Sequence, residues 1–279
     1  MVYRSGRRDA CEDRTTMATR RHFLGATAGM GLAASATAAG VAEAADDAPR
    51  DLYELRRYLL DTPAQREGLD AFLRDAAIPA WNRLGLTPVG VFAPEDGAPG
   101  PVHVLIRHKD AESVLSTTAK LQADAAFREK GAALIDAPAS APAYRRVEST
   151  LLLAFRGMPA LETPAKGPDR VLQLRIYESP SVKTGQKKIE MFNDAGEIAI
   201  FRRVGLNPVF FGEAIVGDRL PNLTYMLGFN SRAELDASWK RFGADPEWQA
   251  LRKREEYADK AILSGITNLI LKPTAYSQI

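Results

Sequence analysis

Two stretches, LYELRRY at 52–58 and VLQLRIY at 171–177, alternate apolar and polar positions with the period of a strand. In the second, Leu172, Leu174 and Ile176 share one face and Gln173, Arg175 and Tyr177 the other. In the first, Leu55 stands opposite Glu54, Arg56 and Tyr58, and Arg57 breaks the pattern near the strand end. Helical spacing follows each strand. Leu69, Phe72, Leu73, Ala76, Ala80, Trp81 and Leu84 recur at three- and four-residue steps, answered by Ile189, Phe192, Gly196, Ile200, Phe201 and Val204. Pro79 is expected to kink or break the first helix. Gly85 and Gly205 stand where a left-handed cap ends a helix, and Pro88 and Pro208 open the next strand. VHVLIRH (102–108) and LTYMLGF (223–229) predict further strands, with Asp110 and Ser231 as caps of the helices that follow. STLLLAF (149–155) and ITNLILK (266–272) close each series.

The matches keep an offset of about 120 residues: RLGLTPVGVF (83–92) answers RVGLNPVFFG (203–212), and ADAAF (123–127) answers ADPEW (244–248). That is one domain doubled rather than a short solenoid unit. The order strand, helix, strand, strand, helix, strand predicts an α+β fold of two ferredoxin-like (βαββαβ) repeats. Their expected bounds are 51–156 and 170–273, joined by the Pro/Gly linker 157–169. In the first, DAPASAPA (136–143) is a loop that the second lacks. Helices cover one face of such a sheet, so the bare faces are expected to pack sheet to sheet. Leu55, Leu172, Leu174 and Ile176 then lie under helices, and Arg56, Tyr58, Arg175 and Tyr177 face the space between the sheets.

Composition excludes several function classes. With 46% hydrophobic and 26% charged residues the chain is globular in character. Removing residues 1–44 leaves equal numbers of acidic and basic residues, so the surplus of cations that a nucleic-acid binder needs is missing. The sole cysteine, Cys11, precedes everything foldable, which excludes disulfides and Cys-ligated zinc. Residues 1–44 read as a twin-arginine export signal: TRRHFLG (19–25), a weakly apolar Gly/Ala run, and small residues at AEA-A (42–45). Met17 is an alternative start. A periplasmic protein with no membrane span after cleavage is expected.

YELRRY with GLTPVGVF, and YMLGFNSRAELDASWKRFGADPEW in the second half, resemble the NIPSNAP domain. The second half carries the terminal Asp245-Pro-Glu-Trp248, where the first has Asp124-Ala-Ala-Phe127. The resemblance covers residues 51–155 and 170–273 and implies the dimeric α+β-barrel superfamily, here as an intrachain barrel. It supplies no catalytic residues.

The candidate ligand residues are Arg56, Tyr58, Arg175, Tyr177 and His103. Two arginines could offer planar forks to an anion, but interior charges are normally paired, so each is expected first to pair with a neighbour such as Glu54 or Glu178 and fasten the halves. His103 and His108, the histidines outside the leader, fall on opposite strand faces and cannot share a metal. His103 as a haem ligand is the alternative that the superfamily implies; no cofactor or metal is otherwise expected. Trp81, Trp239 and Trp248 have core spacing, and LRKREE (251–256) reads as a solvated helix face. No nucleophile elbow, phosphate loop or metalloprotease motif occurs. The leading expectation is an exported binding module for a small molecule or a protein, compatible with a homo-oligomer. The alternative is an oxidoreductase of the monooxygenase or haem type that this superfamily hosts.

Overall fold

Eight strands hydrogen-bond edge to edge, and the ring closes, in the computed structural model of the chain, which describes residues 49–279. The first half runs β1 (Leu52–Leu59), α1 (Pro63–Phe72), a π-helical turn (Leu73–Ala77), α2 (Ile78–Arg83), β2 (Val89–Pro94), β3 (Val102–His108), α3 (Ala111–Ala123), α4 (Ala125–Ile135) and β4 (Arg146–Ala154). The second runs β5 (Val171–Glu178), α5 (Val182–Asn193), α6 (Glu197–Val204), β6 (Pro208–Val216), β7 (Asn222–Phe229), α7 (Arg232–Ala244), α8 (Pro246–Leu251), a 3-10 turn (Glu255–Tyr257), α9 (Asp259–Ile262) and β8 (Gly265–Pro273). Every pairing is antiparallel, in the order β1-β3-β2-β8-β5-β7-β6-β4, with β4 returning to β1. The fold is therefore α+β around a closed barrel. The segment expected to be an export leader, with the alternative start at Met17, lies outside the described residues.

Local signals place the helices. Asp110 and Ser231 accept hydrogen bonds from the backbone N–H groups of Ser113 and Glu234, and so cap α3 and α7. Gly85 and Gly205 take φ of 78° and 83°, the left-handed region that glycine enters freely. Of the two outcomes expected at Pro79, a kink or a break, the break does not occur: the helix runs on through a π-helical distortion. The π-helical turn just before Pro79 widens the backbone where the proline ring would meet the carbonyl of Asp75, and the apolar face continues through buried Trp81. The LRKREE stretch is also not one helix: α8 ends at Leu251, and exposed residues lead into the 3-10 turn. The second half lacks DAPASAPA but has its own long connection, 252–264, after a shorter helix.

Closure agrees with the intrachain barrel expected above, but not with two sheets packed by their bare faces. They do not stack face to face; they join through their edges, β2 to β8 (Ala93 opposite Lys272) and β4 to β6 (Leu152 opposite Ala214). The face assignment is consequently inverted. Leu55, Leu172 and Leu174 pack inside the barrel with Tyr53, Phe92 and Phe210, and Ile176 lines its mouth. Arg56 and Tyr58, with Arg175 and Tyr177, lie on the helix side instead: the Arg56 guanidinium sits over the Trp81 ring of α2 and that of Arg175 over the Trp239 ring of α7. Period-two alternation marks two faces, but here both are covered, one by helices and one by the curled sheet itself. The interior takes these leucines together with aromatic side chains, while the helix layer holds long cations against aromatic rings.

Candidate functional site

The five residues singled out from the sequence fall in three separate places. In the first half, Arg56 holds Glu54 through two hydrogen bonds, Nε to Oε1 at 2.7 Å and Nη2 to Oε2 at 3.0 Å. Ser149 Oγ donates to the same carboxylate at 2.9 Å, and His108 Nε2 stands 3.5 Å from it. The other ring nitrogen of His108 is in hydrogen-bond contact with Ser113 Oγ at 2.9 Å. Burial pushes the Glu54 carboxyl up, but His108, Arg56 and Ser149 together bring it down to about 2. Tyr58 is buried edge-on against Tyr144, and burial raises its phenol. The charges at this place satisfy one another.

The second half uses the same strand positions differently. Counting along β1 and β5, Glu54 corresponds to Gln173, Arg56 to Arg175 and Tyr58 to Tyr177. Gln173 accepts from Trp239 Nε1 at 2.6 Å and donates to Asn268 Oδ1 at 2.8 Å. The Arg175 guanidinium lies 4.8 Å from the Trp239 ring centre and 5.3 Å from that of Tyr177. Its Nε is buried without a partner, and no carboxylate among the described residues forms an ion pair with it. Glu178, the partner considered from sequence, instead accepts from Arg219 at 2.8 Å.

Behind Arg175 lies a set that the sequence did not single out. Lys188 Nζ is 3.2 Å from Glu197 Oε2, both side chains are enclosed, and the ammonium also sits over Phe192 and Tyr177. Burial raises the Glu197 carboxyl, with Lys188 opposing it. Tyr177 and Tyr225 share a hydrogen bond of 3.0 Å, and burial raises the Tyr225 phenol strongly. In KKIEMFNDAGE these charges stand among others that face solvent, so nothing in the spelling separates them. The usable signal was the comparison of halves: Leu69, counted from the helix caps Thr62 and Ser181, occupies the Lys188 position.

His103 stands apart, on the inner face of β3 at one mouth of the barrel. It borders a cavity of about 80 Å³ walled by Leu55, Leu174, Leu269 and Thr224. Arg57, Glu148, Asp218 and Arg219 contribute to its lining, with Arg57 paired to Glu148. The imidazole is 3% exposed, its Nδ1 has no hydrogen-bond partner, and burial followed by the nearby Arg57 charge brings its pKa down to about 4. It is neutral at pH 7. No cluster of three potential metal ligands occurs among the described residues.

Comparison with known proteins places this geometry in a lineage. A Lactobacillus acidophilus structure described as a candidate monooxygenase superposes with a TM-score of 0.54 at 11% identity, covering 80% of this chain and 94% of that one. An anthrone oxidase-like protein gives 0.50 at 12%, covering 82% and 92%. At such identities the likeness is one of fold. A NIPSNAP family protein from Agrobacterium tumefaciens is 26% identical, with a TM-score of 0.33, and covers 39% of this chain and 98% of its own. The comparison with curated proteins gave no match. The NIPSNAP family profile matches residues 53–155 and again 172–278, most of the described chain, and the protein belongs to the NIPSNAP family.

Proposed function

We propose that this NIPSNAP protein is a small-molecule binder, built from two ferredoxin-like repeats and exported by the twin-arginine route, with its ligand seated at the barrel mouth against His103. The observation that carries the reading is a buried, neutral imidazole with an unpaired nitrogen beside a cavity. A polar group left unpaired in an enclosed place costs ~1–3 kcal/mol, which a hydrogen-bonding ligand offsets. The lining charges balance, Arg57 and Arg219 against Glu148 and Asp218, so the favoured ligand is small, polar and without net charge. Haem fits poorly here, because the cavity of about 80 Å³ falls well below the ~300–1,000 Å³ of pockets for larger ligands.

The test is a thermal-shift panel of small amides, alcohols and zwitterions against the wild type and His103→Leu. Stabilisation of the wild type that His103→Leu loses supports the site; a wild type indifferent to the whole panel, or an equal shift in both proteins, refutes it. Export is tested separately with Arg20→Lys and Arg21→Lys together, which should leave uncut protein in the cytoplasm. Processed double mutant in the periplasm refutes that part. A second reading, oxidation of an anthrone-like substrate, draws on the neighbours named monooxygenase and anthrone oxidase-like and on the enclosed Tyr177–Tyr225 pair. Oxygen uptake with anthrone, absent in Tyr225→Phe, would favour it.

A further inference from the structure

We propose that Arg175 forms a second ligand site, distinct from the barrel mouth, that takes a small carboxylate with an apolar body. The contrast between halves carries the argument. The first half answers its strand arginine with Glu54; the second places Gln173 at that position and commits both ends of the amide to Trp239 and Asn268. A guanidinium stays charged under all ordinary conditions, so Arg175 is a half-buried cation whose counter-ion has been exchanged for a neutral group. The neighbouring enclosed charges supply only part of one: Glu197 meets Lys188 at 3.2 Å and acts on Arg175 from farther away, so a single carboxylate serves two cations.

The cation is also held in position. The Trp239 and Tyr177 rings beside it limit its motion, and Trp239 is itself fixed by Gln173. A fork fixed beforehand loses little freedom when it binds a planar carboxylate. Room for a ligand lies along the outer face of β8, whose Asn268 is opposite Arg175 and whose Ile266 is opposite Tyr177. Ile266 is 50% exposed and Asn268 is exposed, so this part of the strand has no helix over it. Asn268 spends its carbonyl oxygen on Gln173 and retains amide protons for an anion. Cation, amide donor, indole edge and exposed isoleucine together suit a carboxylate joined to a short apolar body.

The probe is sodium benzoate, titrated into the full-length mature protein at constant ionic strength and followed by tryptophan fluorescence and calorimetry. The wild type should bind saturably, and inorganic phosphate should bind at least tenfold more weakly. Arg175→Gln should lose binding by tenfold or more. Gln173→Glu rebuilds the first half's ion pair beside Arg175, and should lose binding to a similar degree while the protein stays folded; it keeps the test decisive if Arg175→Gln fails to fold. His103→Leu should bind benzoate as the wild type does, which separates this site from the barrel mouth. No benzoate binding in the wild type, undiminished binding in Gln173→Glu, or phosphate binding as tightly as benzoate overturns the proposal.

Discussion

Lys188→Met removes one charge from an enclosed pair and leaves the other with nowhere to go. Lys188 is 1% exposed and Glu197 2%, with 3.2 Å between Nζ and Oε2. Methionine keeps most of the lysine stem in place against Phe192. Glu197 then has one escape, which is to take up a proton. At pH 7, against an ordinary carboxyl value of 4.5, that costs about 3.4 kcal/mol and sets a ceiling on the electrostatic penalty. The range for breaking a buried pair from one side is ~3–5 kcal/mol, so a loss of about 3 kcal/mol is expected at pH 7. A carboxyl raised in the folded state stabilises below its unfolded pKa and loses that contribution as pH rises. The penalty relative to wild type should therefore shrink toward acid, by up to about 1.4 kcal/mol per pH unit between pH 7 and 5. Replacing both residues, Lys188→Met with Glu197→Met, should return stability to within about 1 kcal/mol of wild type, since well-packed apolar pairs often match buried ion pairs. The first half already does so with Leu69 at the Lys188 position. Urea unfolding followed by circular dichroism at pH 5, 6 and 7 measures all of this. A Lys188→Met penalty under about 1 kcal/mol at pH 7, or one that is flat from pH 5 to 7, would refute the enclosure argued here.

His103 gives a second pH signature: its folded pKa of about 4 lies below the ordinary 6.5, so the unfolded chain takes up the proton first. Stability should fall as pH drops from 6.5 toward 4, by about 3 kcal/mol in all, and His103→Leu should abolish that component of the acid limb in a urea–pH series. The two strand arginines should differ: Arg56→Ala strands Glu54 and should cost about 3 kcal/mol, the low end for a buried pair that is partly reached by solvent. Arg175→Gln removes a cation with no carboxylate partner and should change stability by less than about 1 kcal/mol, so equal losses in chemical denaturation would contradict the distinction. Residues 46–160 expressed alone should dimerise or aggregate, because β2 and β4 lose their edge partners β8 and β6. A monomeric, soluble half in light scattering would show that closure is dispensable.

The order of elements was legible because each carries its own signal: caps at Asp110 and Ser231, left-handed glycines at 85 and 205, and period-two strands between. Which face of a strand meets which partner was not. Leu55 and Arg56 announce two different environments, yet a curled sheet and a layer of helices both bury apolar side chains, and alternation cannot rank them. Closure depends on pairings such as Leu152 with Ala214, between residues far apart in the chain, and no local pattern encodes them. The candidate residues were visible as residue types, while their separation into three places followed from the inverted faces. Gln173 was in plain view at the position that corresponds to Glu54; its meaning appeared only once the Arg56–Glu54 pair was seen.

The segment between β4 and β5 turns ring closure into a unimolecular event. Its backbone is pinned along the way, with Asp51 N–H donating to Pro159 O and Glu162 N–H to Val209 O. A barrel assembled from two separate chains comes apart on dilution, as mass action requires. Here one set of edges meets the other at an effective concentration fixed by the tether, of order millimolar for a short flexible linker, however dilute the protein becomes. Any site that depends on the closed ring therefore has an occupancy set by its ligand alone, and a response that changes with protein concentration would have to arise between whole chains.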